Sequence, residues 1–377
     1  MYIPLAQAGL NDVKGLLNLA TKAKQQIAPL LDLAGKSKTH LQTFCDEWPE
    51  DLSFFVDISP MGIELCKAVA EADEENHIIL TLSLDNPKNG FTTRKNLYLA
   101  LHKKHQGLIP CISWENTDAT RRDVLLFARS LEEDFNKIAI RICLWNEISD
   151  HQKNLDYAKA ILDVVRDRSK VWLLIDYGPL RQDTEIATSK KMADFLEIIN
   201  STSVAGWSII STSFPAQRPS SGEEQRAQLL DYTAQSLIKT RNKTSQRAYG
   251  DYAASALGSA TQFTPGMIVI PFGAYLANFE WWLHRDGGSS EFRKYIDIAK
   301  KLISLPQFDG AGFCWANENY ERISQLPPAA TRDYGNNGVW NGYRLNQHIT
   351  KICHYLEQYG FPLSLQATSV EEEDGEI

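Results

Sequence analysis

IAIRICLWNEISDHQKNLDYAKAILDVVRDRSKVWLLIDY, residues 138–177, holds two short β-rich runs, Ile138–Leu144 and Val171–Tyr177, on either side of a longer segment of helical period, Asn154–Asp167. A run that is apolar almost throughout reads as a strand buried on both faces, and two such strands joined through a helix make a parallel βαβ unit. The same alternation continues in both directions. Ile3–Leu5, Ile27–Leu33 taken with Phe54–Asp57 as one strand region, Ile78–Leu84 and Leu108–Trp114 lie before it, and Gly206–Phe214 and Arg247–Ala253 lie after it. Helical periods fill Asn11–Gln25, Met61–Glu71, Thr93–Lys104, Thr120–Asp134, Ser189–Ile199 and Glu223–Lys239. In Thr120–Asp134 the residues Val124, Leu125, Ala128 and Leu131 form one apolar stripe, as a helix lying on the outside of a sheet requires. Eight β/α repeats predict an α/β fold, a closed (β/α)8 TIM-like barrel. A doubly wound open sheet commonly carries a glycine-rich phosphate turn after its first strand, and neither that turn nor a P-loop occurs here.

The repeat then breaks down into an elaborated C-terminal region, roughly residues 260–343. There Met267–Trp282 reads as a strand or hairpin, Glu291–Leu305 as a helix, Gly310–Ala316 as a strand, and 325–343, rich in Pro, Gly and Asn, as a long loop. Arg344–Tyr359 has the period of a closing helix. The expectation is therefore one domain over residues 1–366, followed by an acidic tail, 367–377.

Composition agrees with a folded chain. Of 377 residues, 43% are hydrophobic and 23% charged, enough apolar material for a large core. A net charge of −8 disfavours nucleic acid as a partner. The six cysteines, Cys45, Cys66, Cys111, Cys143, Cys314 and Cys353, form no C-x-x-C pair, so they read as reduced thiols rather than a zinc or redox motif. The N-terminus lacks the basic-then-apolar order of a signal peptide, and no apolar run reaches the roughly 18 residues of a membrane span, so a cytoplasmic protein without a membrane partner is expected. His348 and His354 lie six apart on the closing helix without a His-Glu-x-x-His pattern, and neither metal nor cofactor is expected.

In a (β/α)8 barrel the functional residues sit where strands end. Asp57, Asp85, Glu115, Glu147, Asp176, Asp251 and Glu318 all fall at or just after strand-like runs. Carboxylates paired across a barrel mouth are what hydrolysis of a glycosidic bond needs, one as acid and one as nucleophile or base. On that reading Glu147, Asp176, Asp251 and Glu318 are the candidate catalytic groups. The Asn146-Glu147 pair resembles the acid/base signature of retaining barrel glycosidases, although it follows the fifth strand rather than the fourth. Arg141 stands on an otherwise apolar strand; turned inward it must meet a carboxylate or an anion, turned outward it would pair with a helix. Tyr249 and Tyr252, flanking Gly250-Asp251, offer aromatic faces beside a carboxylate. Asp251, Arg285 and Trp315 are expected to meet in one pocket, while Trp281-Trp282 reads as a packing pair.

The blocks RAYGDYA (247–253), EWWLHRDGG (280–288), FCWANENYERIS (313–324) and RLNQHI (344–349), with YIPLAQAGLNDVKGL and IAPLLDL near the start, are similar to the phage and bacterial "beta protein" family. The likeness spans nearly the whole chain. It departs at Ala6-Gln7-Ala8 and Asn11-Asp12, where the family carries a lysine and a glutamate, and at FCWAN, where the family pattern ends in Gly-Asp. The resemblance implies a ligand-binding or interaction component in phage–host conflict and antiviral defence, its partner an unnamed protein or small molecule. A metal-independent hydrolase of a glycosidic or nucleosidic bond is the alternative. Ligand and oligomeric state are not legible in the chain.

Overall fold

The computed structural model describes residues 1–33, 37–58, 78–114, 119–145, 151–257 and 269–362. Eight parallel strands close a barrel: β1 (Tyr2–Gln7), β2 (Leu30–Leu33), β3 (Phe54–Ile58), β4 (Leu108–Ile112), β5 (Ile138–Cys143), β6 (Val171–Pro179), β7 (Gly206–Thr212) and, after an intervening strand β8 (Glu224–Gln228), β9 (Gln246–Asp251). The ring closes where β1 pairs with β2, Leu5 opposite Leu30, and with β9, Ile3 opposite Gly250.

The number of barrel strands agrees with the sequence, but two of the expected strand assignments do not. Ile27–Leu33 and Phe54–Asp57 are separate strands, paired in parallel with Asp32 opposite Asp57 and joined through the helix Ser37–Glu47. Ile78–Leu84, expected as a strand, instead contains the short helix Ile78–Thr81, with Ile78, Ile79 and Leu84 buried in the layer outside the barrel. A short apolar run suits a buried helix as well as a buried strand. The ring decides between them, because β3 hydrogen-bonds directly to β4, Phe54 opposite Leu108, and leaves no slot for another strand.

Alternation along each strand separates two buried layers. Ile3, Leu5, Leu30, Phe55, Ile109, Trp172, Leu174 and Tyr252 pack inside the barrel, while Tyr2, Leu31, Val56, Ile140, Leu173 and Tyr249 pack outward against the helices. Gly206 belongs to the inner packing: a Cβ there would lie 2.4 Å from the Trp172 ring, so only glycine lets that indole fit. Outside, the helix Arg121–Asp134 starts as its sequence dictates. Thr120 and Asp123 form a reciprocal capping box, and Val124, Ala128 and Leu131 of the apolar stripe are buried.

The late region adds a three-stranded antiparallel sheet, β10 (Phe272–Ala277), β11 (Glu280–Arg285) and β8, in the order β10–β11–β8. The expected hairpin is there, the helix expected over Glu291–Leu305 forms as Tyr295–Ile303 after a 3-10 turn, and the remaining late expectations need correction. Glu223–Lys239, read as one helix, splits into β8 and the helix Leu230–Ser236. Only Gln225 and Ala227 of β8 turn partly inward, so this edge strand has no apolar alternation to announce it. Gly310–Ala316 forms a 3-10 turn, Ala311–Phe313, and the start of the helix Trp315–Ser324 rather than a strand. The closing helix runs Asn337–Tyr359, beginning inside the expected loop because the Asn336 side chain caps it at the Val339 N–H. Its Gln347 amide takes both the N–H and the C=O of Leu276 on β10, at 3.1 and 2.8 Å.

Cys45, Cys111, Cys143, Cys314 and Cys353 are free thiols, and Cys66 lies outside the described residues. Among the described residues no helix is long and apolar enough to cross a membrane.

Candidate functional site

Alternation turns Arg141 inward, between Ala139 and Cys143 on β5, and brings it to three aspartates from three other strands. Nη1 donates to Asp32 on β2 and, at 3.3 Å, to Asp57 on β3. Nε and Nη2 donate to Oδ2 of Asp176 on β6 at 3.2 and 2.7 Å, and Nη2 also reaches the other oxygen of Asp32 at 3.4 Å. Every member is buried: Arg141 is 1% exposed, Asp57 and Asp176 are 0%, and Asp32, the most open, is 7%.

Further donors complete the cluster. The Ser113 hydroxyl donates to Asp57 at 2.7 Å, as does the Ile58 N–H at 2.8 Å, and the Tyr252 hydroxyl donates to Asp176 at 2.5 Å. Ser113 is held in turn by Arg94, whose Nη1 bonds its carbonyl at 3.0 Å while Nη2 pairs with Asp85 at 3.3 Å.

Burial pushes the Asp32 carboxyl up to about 6, against the pull of Arg141 and with help from Asp57 and Asp176. Asp57 is raised for the same first reason, against Arg141, Arg94 and its hydrogen bonds. Burial disfavours the charged Arg141, but Asp32, Asp176, Cys143 and Asp57 outweigh it and hold the guanidinium protonated. Burial and Asp176 raise Tyr252 well above the ordinary phenol, so its hydroxyl remains a donor. Three carboxylates around one guanidinium give the cluster a surplus of hydrogen-bond acceptors. That favours further hydrogen-bond donors or a cation beside it, and burial leaves Asp32, at about 6, able to exchange a proton near neutral pH.

Of the residues singled out from the sequence, Asp57, Arg141, Asp176 and Tyr252 come together here. Tyr249 and Asp251, on the opposite face of β9, point away from the barrel interior. Asp251 accepts from Tyr2 at 2.6 Å, Tyr249 at 3.1 Å and the Ala253 N–H at 2.9 Å, and meets Nε2 of His348 on the closing helix at 2.7 Å. Trp281 stacks on that histidine, ring centroids 5.1 Å apart. The expected pocket of Asp251, Arg285 and Trp315 is therefore not formed by contact between them. Arg285 stands opposite Phe272 in the β10–β11 ladder, and Trp315 packs on Tyr343 at 4.9 Å with the Lys14 ammonium over its ring. The reason is the strand period, which turns Gly250 and Tyr252 inward and Asp251 out. Glu318 is exposed in the first turn of the helix Trp315–Ser324, and Glu147 and Glu115 lie outside the described residues.

Asp32 and Ser113 are the members the sequence reading missed. Asp32 had a usable signal, an acid inside the apolar run LLDL, the mirror image of the anomaly that drew notice to Arg141. Among the described residues no group of His, Cys, Asp and Glu is placed to hold a metal ion; the three aspartates converge on a guanidinium instead.

Eight parallel strands around an arginine-centred carboxylate cluster define a (β/α)8-barrel protein with a buried polar site in its core. More closely, the chain belongs to the Beta protein family, whose model matches residues 2–354. No curated protein and no solved structure matches it.

Proposed function

We propose that this chain is a ligand-binding component that receives, above the Arg141 cluster, a neutral or cationic small molecule rich in hydroxyl or amino groups, such as a sugar or a nucleoside. The observation that carries this reading is the surplus of acceptors: three carboxylates share one guanidinium, and Asp32 is the member nearest solvent. A cytoplasmic setting accords with the free thiols, and a role in phage–host conflict rests on the family resemblance. The test is a melting-temperature screen against nucleosides and oligosaccharides, for the native chain and for Asp32→Asn. A ligand that binds the folded state raises the native melting temperature and raises that of the variant less. If no compound shifts it, or both proteins respond alike, the reading fails.

A second reading, hydrolysis of a glycosidic or nucleosidic bond, is favoured by one observation. An Asp32 carboxyl at about 6 can hold a proton close to neutral pH while Asp176 takes its hydrogen bonds from Arg141 and Tyr252. Release of reducing sugar or free base, lost in Asp32→Asn, would support it. Intact substrates after prolonged incubation with the native chain would reject it.

A further inference from the structure

Apart from the acidic cluster, Arg218 and Arg344 lie over the same two phenyl rings and Arg285 stands across the ladder from one of them, with no ion pair to any of the three among the described residues. The Arg218 guanidinium lies 4.4 Å from the ring centroid of Phe272 and 4.8 Å from that of Phe214. Arg344, from the closing helix, lies over the same rings at 5.7 and 5.1 Å. Arg285 stands directly across from Phe272 in the β10–β11 ladder, which puts both side chains on one face of that sheet.

Their hydrogen bonds run to neutral carbonyls: Arg218 Nη1 to Pro215 at 2.9 Å and Arg344 Nε to Ala254 at 2.9 Å. None of the three forms an ion pair among the described residues. Arg344 is only 5% exposed, and a guanidinium so far from water is costly without an anion. The acid that acts on it is Asp12, itself pushed up to about 6 by burial and already accepting the Gln7 N–H at 3.1 Å. Burial first, and then the other two arginines, push Arg218 down to about 9. Among the described residues, none forms an ion pair with this concentration of positive charge.

The location adds a second argument. Phe214 and Arg218 follow β7, the seventh barrel strand, and Ala254 follows β9, the eighth. The loops after the seventh and eighth strands are a frequent phosphate-binding place in (β/α)8 barrels generally.

We propose that Arg218, Arg285 and Arg344 form an anion site that takes the phosphoryl group of a small ligand. A phosphoryl group carries up to two charges and three acceptor oxygens, which matches a set of forked guanidinium donors better than a carboxylate with one charge. The faces of Phe214 and Phe272 hold the guanidiniums of Arg218 and Arg344.

Inorganic phosphate is the probe, compared with acetate and chloride at equal ionic strength on the full chain. Phosphate should raise the melting temperature above both controls, and calorimetric titration should show about tenfold weaker binding in Arg218→Ala and in Arg285→Ala. Circular dichroism establishes that both variants fold. Equal responses to phosphate and acetate would refute the phosphoryl assignment. The absence of any phosphate shift, or phosphate binding undiminished in both variants, would refute the site.

Discussion

Arg141 turns two nitrogens, Nε and Nη2, on a single oxygen of Asp176, at 3.2 and 2.7 Å, and the other oxygen of that carboxylate takes the hydroxyl of Tyr252. Arg141→Met would leave Asp176, Asp32 and Asp57 buried around an apolar side chain. Removing one partner of a buried ion pair costs about 3–5 kcal/mol, and here three partners lose it. Urea denaturation should show a loss of unfolding free energy of that order or a chain that does not fold; a native unfolding free energy would mean that the cluster contributes little to stability.

Asp32, at about 6, and Asp57, also raised, make stability depend on pH in a defined direction. A carboxyl raised in the folded state favours folding most when protonated. Its contribution is therefore full below the unfolded value near 4 and is lost as pH rises through the folded value. Acidification from pH 7 to 5 should then stabilise the chain through Asp32 by about 1 kcal/mol. In Asp32→Asn that gain should shrink. Identical pH slopes in denaturant titrations of the two proteins would contradict the assignment.

Asp251 is expected to be structural. Asp251→Ala would strand the Tyr2 and Tyr249 hydroxyls and the Ala253 N–H in a closed interior, costing about 3 kcal/mol or more. Any loss of ligand response should track the loss of folded protein in thermal melts. A variant that melts like the native chain yet no longer responds to ligand would return Asp251 to the functional site.

Gly178 has φ +81°, and a Cβ there would lie 2.5 Å from the Cβ of Trp145. Gly178→Ala combines left-handed strain with that clash and should cost about 2 kcal/mol or more, seen as a lower melting temperature. An unchanged melt would show that the irregular end of β6 relaxes freely.

Thr120→Ala removes one half of the capping box on the helix Arg121–Asp134 and should cost about 1 kcal/mol without affecting any ligand response. A loss above about 3 kcal/mol would mean that the helix start carries more than its cap.

The barrel was legible because βαβ units bury their strands on both faces, so Ile138–Leu144 and Val171–Tyr177 read as apolar runs. Ile78–Leu84 looks the same in sequence, and only closure of the ring through β3 and β4 excludes it as a strand. The inward Arg141 was legible as an anomaly, whereas its main partner Asp32 belonged to a run read whole as apolar. Asp251 and Tyr252 are neighbours in sequence but face opposite layers, one towards His348 and the other towards Asp176. A residue's nearness to a strand end sets its height in the barrel, and the strand register sets its direction. The late sheet stayed hidden because β8, Glu-Gln-Arg-Ala-Gln, is defined by its partner β11 rather than by its own side chains.

The order β10–β11–β8 bears on how the molecule behaves in a crowded solution. A closed ring offers no free strand, so the appended sheet is where a neighbouring copy could dock edge to edge. On one side, Gln347 occupies the N–H and C=O of Leu276 much as another strand would. On the other, β8 presents exposed Glu224, Arg226 and Gln228 to water. Charged, polar borders of this kind oppose edge-to-edge fibrillar stacking of this sheet.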